Sequence, residues 1–177
     1  MKEHLNRHEI IAEITPVIEN TAMRYNLIPI EIDLEKESGQ WFLRIFVFCT
    51  AHPVNIDDCE NLSRGLDNML DDLIPFKYRL EISSPGLFRK IKSDKEYVIF
   101  KGKKVILKLA EAVDEEIEVQ VKNKKTKMGG EKKIEARILD YQKGIGLTVL
   151  KLNTEKEYTI PLENITSAQL NDDEQEK

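Results

Sequence analysis

Cysteine, histidine, glycine and aromatic residues are all scarce here: 2, 3 and 8 residues and 7% of 177 positions, respectively. Cys49 and Cys59 show no repeating spacing, so reduced thiols in a cytoplasmic protein are expected rather than a disulfide framework. Cys49-x2-His52-x6-Cys59 is no zinc spacing, and both cysteines read as small buried hydrophobes, so no metal is expected. No apolar run approaches the roughly 18 residues of a membrane span. Met1-Lys2-Glu3-His4 is polar, so no secretory leader is expected either. Neither Gly-x4-Gly-Lys nor Gly-x-Gly-x-x-Gly occurs, which leaves phosphate groups no glycine-rich cradle. Ser83-Ser84-Pro85-Gly86 has no nucleophile elbow around it and no histidine after it, so it reads as a strand-ending turn. No cofactor and no catalysis are the expectations.

Charge is abundant, at 33% of residues, and nets to −5. A body of that sign does not hold nucleic acid by its overall field. The charge is uneven. Residues 1–90 carry 10 basic and 15 acidic side chains, whereas residues 91–177 carry 17 of each. In the second half, Lys122, Lys124, Lys125, Lys127, Lys132 and Lys133 form a basic cluster ahead of an acidic tail at 172–177, expected to be disordered. The cluster reads equally as a solvated loop or as a flexible arm that meets phosphates.

The first half follows helix and strand periods. Ile10, Ile11, Ile14, Val17, Ile18 and Ala22 share one face of a helix over 8–25, which Pro16 should kink or begin afresh. Ile28, Ile30, Ile32 and Leu34 alternate with polar residues in a half-buried strand. A turn at Ser38-Gly39 returns into Trp41–Cys49, apolar on both faces and therefore central or covered. Phe42, Phe46 and Phe48 on one of those faces could stack on unpaired bases, but core packing is the stronger reading. Asn55–Leu73 should be the best helix, capped by Asn55 with Asp57 and Asp58 in its first turn and Glu60 set to pair with Arg64. A third strand, Tyr78–Ser83, follows.

After Arg89 the pattern shortens. Alternating segments at 104–109, 117–121, 133–139, 145–150 and 157–160 are separated by turn residues. Five short strands without a long helix fit a small barrel, which has no open edges to manage. The fold class expected is α+β: an N-terminal α-β-β-α-β sandwich over 1–90, then a small SH3-like or Sm-like β-barrel over 91–171.

Val54-Asn55-Ile56-Asp57-Asp58-Cys59-Glu60-Asn61-Leu62-Ser63-Arg64, followed by Tyr78-Arg79-Leu80-Glu81-Ile82-Ser83-Ser84-Pro85-Gly86-Leu87-Phe88-Arg89, resembles the ribosome maturation factor RimP family. The resemblance runs over nearly the whole chain and departs from the family pattern at Arg89-Lys90-Ile91, where Arg-Pro-Leu is common. It implies a cytoplasmic, non-enzymatic assembly factor, expected to be a monomer, that binds the immature or free small ribosomal subunit and promotes its maturation. It further implies contacts with rRNA and, through the barrel, with a ribosomal protein near the decoding region. Asp57, Asp58, Glu60, Arg64, Glu81, Ser83, Ser84 and Arg89 become ribosome-contact candidates, and Arg64, Glu81, Ser83, Ser84 and Arg89 are expected to form one exposed polar patch. The alternatives are a general RNA-binding regulator using the Sm-like half, or a peptide-binding adaptor with an SH3-like groove.

Overall fold

Asn6 begins the first helix by accepting the backbone N–H groups of His8 and Glu9, while Glu9 reaches back to the Asn6 N–H at 2.8 Å. This reciprocal cap satisfies donors that a helix start leaves unpaired. In the computed structural model, which describes residues 6–113, 117–121, 124–128 and 131–171, this helix is α1, Arg7–Met23. It is one continuous helix through Pro16. Thr15 Oγ1 donates to the Ile11 carbonyl in the turn where the proline cannot supply its own N–H.

Strands β1 (Ile28–Glu37) and β2 (Gln40–Phe48) form a hairpin whose two-residue turn, Ser38-Gly39, has φ of 48° and 89°. Positive φ at both positions gives a turn whose twist matches that of the strands. Helix α2 (Ile56–Leu66) then crosses over to β3 (Tyr78–Ser83), which pairs parallel to β2, so the sheet order is β1-β2-β3. The phenylalanine-rich strand is central, as its two apolar faces required. α1 packs on β1 and α2, and α2 packs on β3. Ile10, Ile14, Ile18, Leu62 and Leu66 thereby bury one face of the sheet with Leu34, Leu43, Ile45 and Val47. Trp41 stacks on Phe76 at 4.5 Å between ring centroids at the margin of this core.

The second helix is shorter than its apolar period suggested. It stops at Leu66 because Asp67 turns to ψ 134° and Asn68 takes φ 62°, after which turns run to Leu73. Leu70 stays buried, while Met69 is 43% exposed.

The chain divides into two units, Met1–Pro85 and Gly86–Lys177. The division falls ahead of Lys90 because residues 88–91 hydrogen-bond to the last strand. Gln169 donates to the Phe88 carbonyl, the Leu170 N–H to the Arg89 carbonyl, and the Ile91 N–H to the Ala168 carbonyl. The second unit contains α3 (Asp94–Ile99), β4 (Lys104–Leu109), β5 (Ile117–Val121), β6 (Lys124–Met128), β7 (Lys133–Gln142), β8 (Gly146–Lys151), β9 (Lys156–Ile160), a 3-10 turn at Leu162–Asn164 and β10 (Ile165–Leu170). Five of these strands form an antiparallel sheet in the order β10-β4-β7-β8-β9. Val105, Leu107, Ile134, Ala136, Ile138, Val149, Ala168 and Leu170 are buried along it. Its edge strands β9 and β10 do not pair with each other among the described residues, so pairing alone does not close the expected barrel. β5 and β6 pair separately as a hairpin. The architecture is α+β with two main sheets.

Candidate functional site

Two of the sequence segments converge on a shallow groove in the first unit, between α2 and β3. Asn55 caps α2 by accepting the Asp58 N–H at 3.0 Å, and Asp58 returns the bond to the Asn55 N–H at 2.9 Å. Asp58 therefore has a structural task at the helix start. Past this cap, a groove of about 490 Å³ is lined by Ile56, Cys59, Glu60, Ile82, Ser83 and Ser84. A second stretch of about 900 Å³ continues along the helix past Arg64, Asp67, Asp71, Lys77 and Tyr78. Ser63 and Leu80 line both stretches. Ile56 is 76% exposed, a large apolar side chain left in solvent at the mouth.

The electrostatics of this surface are local and paired. Arg64 holds Glu60 at 2.8 Å, the i,i+4 pair expected from sequence, with both side chains largely in water. The Tyr78 hydroxyl donates to Asp71 at 3.0 Å. Burial, reinforced by that bond and by the Asp71 charge, holds the Tyr78 phenol well above its ordinary range. The Cys59 thiol is likewise pushed up by burial and by neighbouring Asp58, so it is a poor nucleophile. Among the described residues there is no cluster of three or more metal-ligating side chains.

The other contact candidates separate. Glu81 alternates with Leu80 and Ile82, so it points to the opposite face of the sheet and binds Arg44 at 2.9 Å. Arg44 also holds both carboxylate oxygens of Glu37, at 2.6 and 3.0 Å, and these bonds keep the Glu37 carboxyl below its usual range. Its guanidinium lies 5.1 Å from the Phe42 ring centroid. Phe42, Phe46 and Phe48 are half-buried on this face. Asp57 is exposed at the helix start and does not line the groove.

Arg89 corrects an expectation. It belongs to the second unit, its side chain is 6% exposed, and its Nε donates to Glu96 at 3.0 Å. It is no part of an exposed patch. In the basic cluster, Lys122 lies outside the described residues. Lys124, Lys125 and Lys127 fall in β6, in register with Val121, Gln120 and Glu118 of β5, so a strand replaces the expected irregular arm there. Lys132 and Lys133 are exposed where β7 begins. The groove residues that sequence reasoning missed are Ile56, Asp67, Asp71, Lys77 and Tyr78. Asp67 and Asp71 lay in the stretch read simply as more helix, and Lys77 and Tyr78 lay where the third strand begins.

Residues 14–88 match the model of the RimP N-terminal domain. That match supports the ribosome maturation factor RimP family. The match spans both quoted motifs up to Phe88 and both banks of the groove, and it carries a role in ribosome maturation. Among the described residues, no helix is long and apolar enough to cross a membrane.

Proposed function

We propose that this protein binds the immature or free small ribosomal subunit in the cytoplasm, as a monomer, and promotes its maturation by binding alone. The RimP N-terminal domain over residues 14–88 carries this reading. A factor without catalytic or nucleotide-binding groups shifts an assembly pathway only by preferring one conformation over another. It must hold the intermediate more tightly than the finished particle and leave when that preference vanishes. The second unit is read as SH3-like, supported by the β4-β7-β8-β9 meander and by the 3-10 turn that returns the chain to pair β10 with β4. That unit is assigned the contact with a ribosomal protein near the decoding region.

Purified protein should bind precursor subunits at least tenfold more tightly than intact translating ribosomes. Equal affinity for precursor, mature free subunit and ribosome would overturn the proposal. Arg64→Ala should weaken precursor binding while moving stability by no more than about 0.5 kcal/mol, the usual range for an exposed site. A large fall in melting temperature with binding intact would assign Arg64 to structure instead.

The lysine-bearing hairpin is given the rRNA contact. Neutralising Lys122, Lys124, Lys125 and Lys127 together should flatten the plot of log K against log salt for subunit binding. Each lost phosphate contact removes about 0.7–0.9 from the slope. An unchanged slope means that these lysines remain in water. Binding to isolated RNA alone, independent of the subunit, would favour the general RNA regulator.

A further inference from the structure

We infer that the outer edge of β3 and the groove beside it form a docking site for an extended, cationic protein segment, which joins the sheet as a fourth strand. Among the described residues β3 is an edge strand that pairs only with β2. Among the described residues, no backbone hydrogen bond outside the β2–β3 ladder reaches Tyr78–Ser83. An edge strand's outward N–H and C=O groups form a template for another extended chain.

The two edges of the sheet are treated differently. β1, at the other edge, has a proline at position 29, a register shift between Pro29 and Glu31, and charges at Glu31, Asp33, Glu35, Lys36 and Glu37. Those are devices that deter strand addition. β3 has no proline and no register shift, and its only charges, Arg79 and Glu81, alternate away from the groove. Pro85 comes only after the strand has ended.

Side-chain recognition is available along the same line. In an added strand, alternate side chains would turn toward α2. They would meet Ile56, Cys59, Leu80 and Ile82 in one stretch of the groove and Asp67 and Asp71 in the next. The groove lining carries three carboxylates, Glu60, Asp67 and Asp71, against two cations, Arg64 and Lys77, and Arg64 is paired with Glu60, so the lining is net negative. Such a bank repels a phosphate backbone and attracts lysine and arginine. The occupant is therefore a basic protein tail with interspersed apolar side chains, not RNA. Only its source, a protein of the small subunit, rests on the function proposed above.

The probe is a synthetic decapeptide alternating valine and lysine, titrated into the full chain while backbone amide resonances are followed. Shifts should concentrate at Tyr78–Ser83 and along α2. A peptide N-methylated at alternate residues keeps its side chains but loses its donors, and it should bind at least tenfold more weakly. Ser63→Trp fills the junction of the two stretches from a half-buried position on α2 and should cause a similar loss. Asp67→Lys, which alters charge at an exposed position, should weaken binding several-fold and serves if the tryptophan variant fails to fold. Shifts confined to other surfaces, or equal binding of the N-methylated peptide, would overturn the inference. Co-sedimentation with small subunits is measured in parallel. Subunit binding without the mapped peptide site sinks the docking proposal alone, and the mapped site without subunit binding sinks the functional reading alone.

Discussion

Arg89→Ala and Glu96→Ala should each destabilise the second unit by about 3–5 kcal/mol, because each breaks a buried ion pair. The two side chains are 6% and 2% exposed, and Arg89 Nε meets Glu96 Oε2 at 3.0 Å. Glu96 also accepts the Lys92 N–H at 3.2 Å and the Ser93 hydroxyl at 3.4 Å. Ser93, the residue before α3, makes no side-chain cap of its own, so Glu96 organises the start of that helix as well. Replacing both charges together, as Arg89→Met with Glu96→Leu, should recover most of the loss, since an apolar pair of similar volume removes both buried charges. The readout is hydrogen exchange at Val105, Leu107 and Ala168 in the second sheet. Trp41, the chain's single tryptophan, reports on the first unit and should respond far less. Losses under about 1 kcal/mol would mean that water reaches and screens the pair.

That pair also marks where sequence reasoning ran out. Arg89 ends a motif of surface serines and a turn, and nothing local separates a buried arginine from an exposed one. Its burial is set by hydrogen bonds between residues 88–91 and β10, some 80 positions away in the chain. Features fixed by neighbours were legible. Ser38-Gly39 announced its hairpin, Asn55 its helix start, and the doubly apolar Trp41–Phe48 its central place. The end of α2 was not, because Met69, Leu70 and Leu73 continue the helical period after Asp67 and Asn68 have left helical geometry. β6 was missed because Lys124-Lys125-Thr126-Lys127-Met128 has no apolar alternation and is a strand through its pairing with β5. The candidate site was half legible. The two motifs that line the groove stood out, whereas the edge position of β3, which opens the second motif, became evident only from the sheet order.

Gly146→Ala should cost about 2–5 kcal/mol, and a neighbouring glycine supplies the control. Gly146 opens β8 at φ 140°, a conformation that L side chains rarely adopt. A Cβ there would lie 2.4 Å from the Ile160 carbonyl oxygen and 2.8 Å from its carbon. Those atoms belong to β9, whose Ile160 pairs with Leu147, so neither strand can retreat without breaking the β8–β9 ladder. Gly144, two residues earlier in the same turn, has φ 81° but nothing within 4 Å of its would-be Cβ. Gly144→Ala therefore carries only the left-handed backbone penalty, about 1–2 kcal/mol, whereas Gly146→Ala adds overpacking, about 1–3 kcal/mol, to its strain. Denaturant unfolding of both variants, read by amide exchange in β8 and β9, separates the two terms. Equal losses would show that φ alone governs the turn. A clearly larger loss for Gly146→Ala would show that the close approach of the β9 backbone demands glycine at this position.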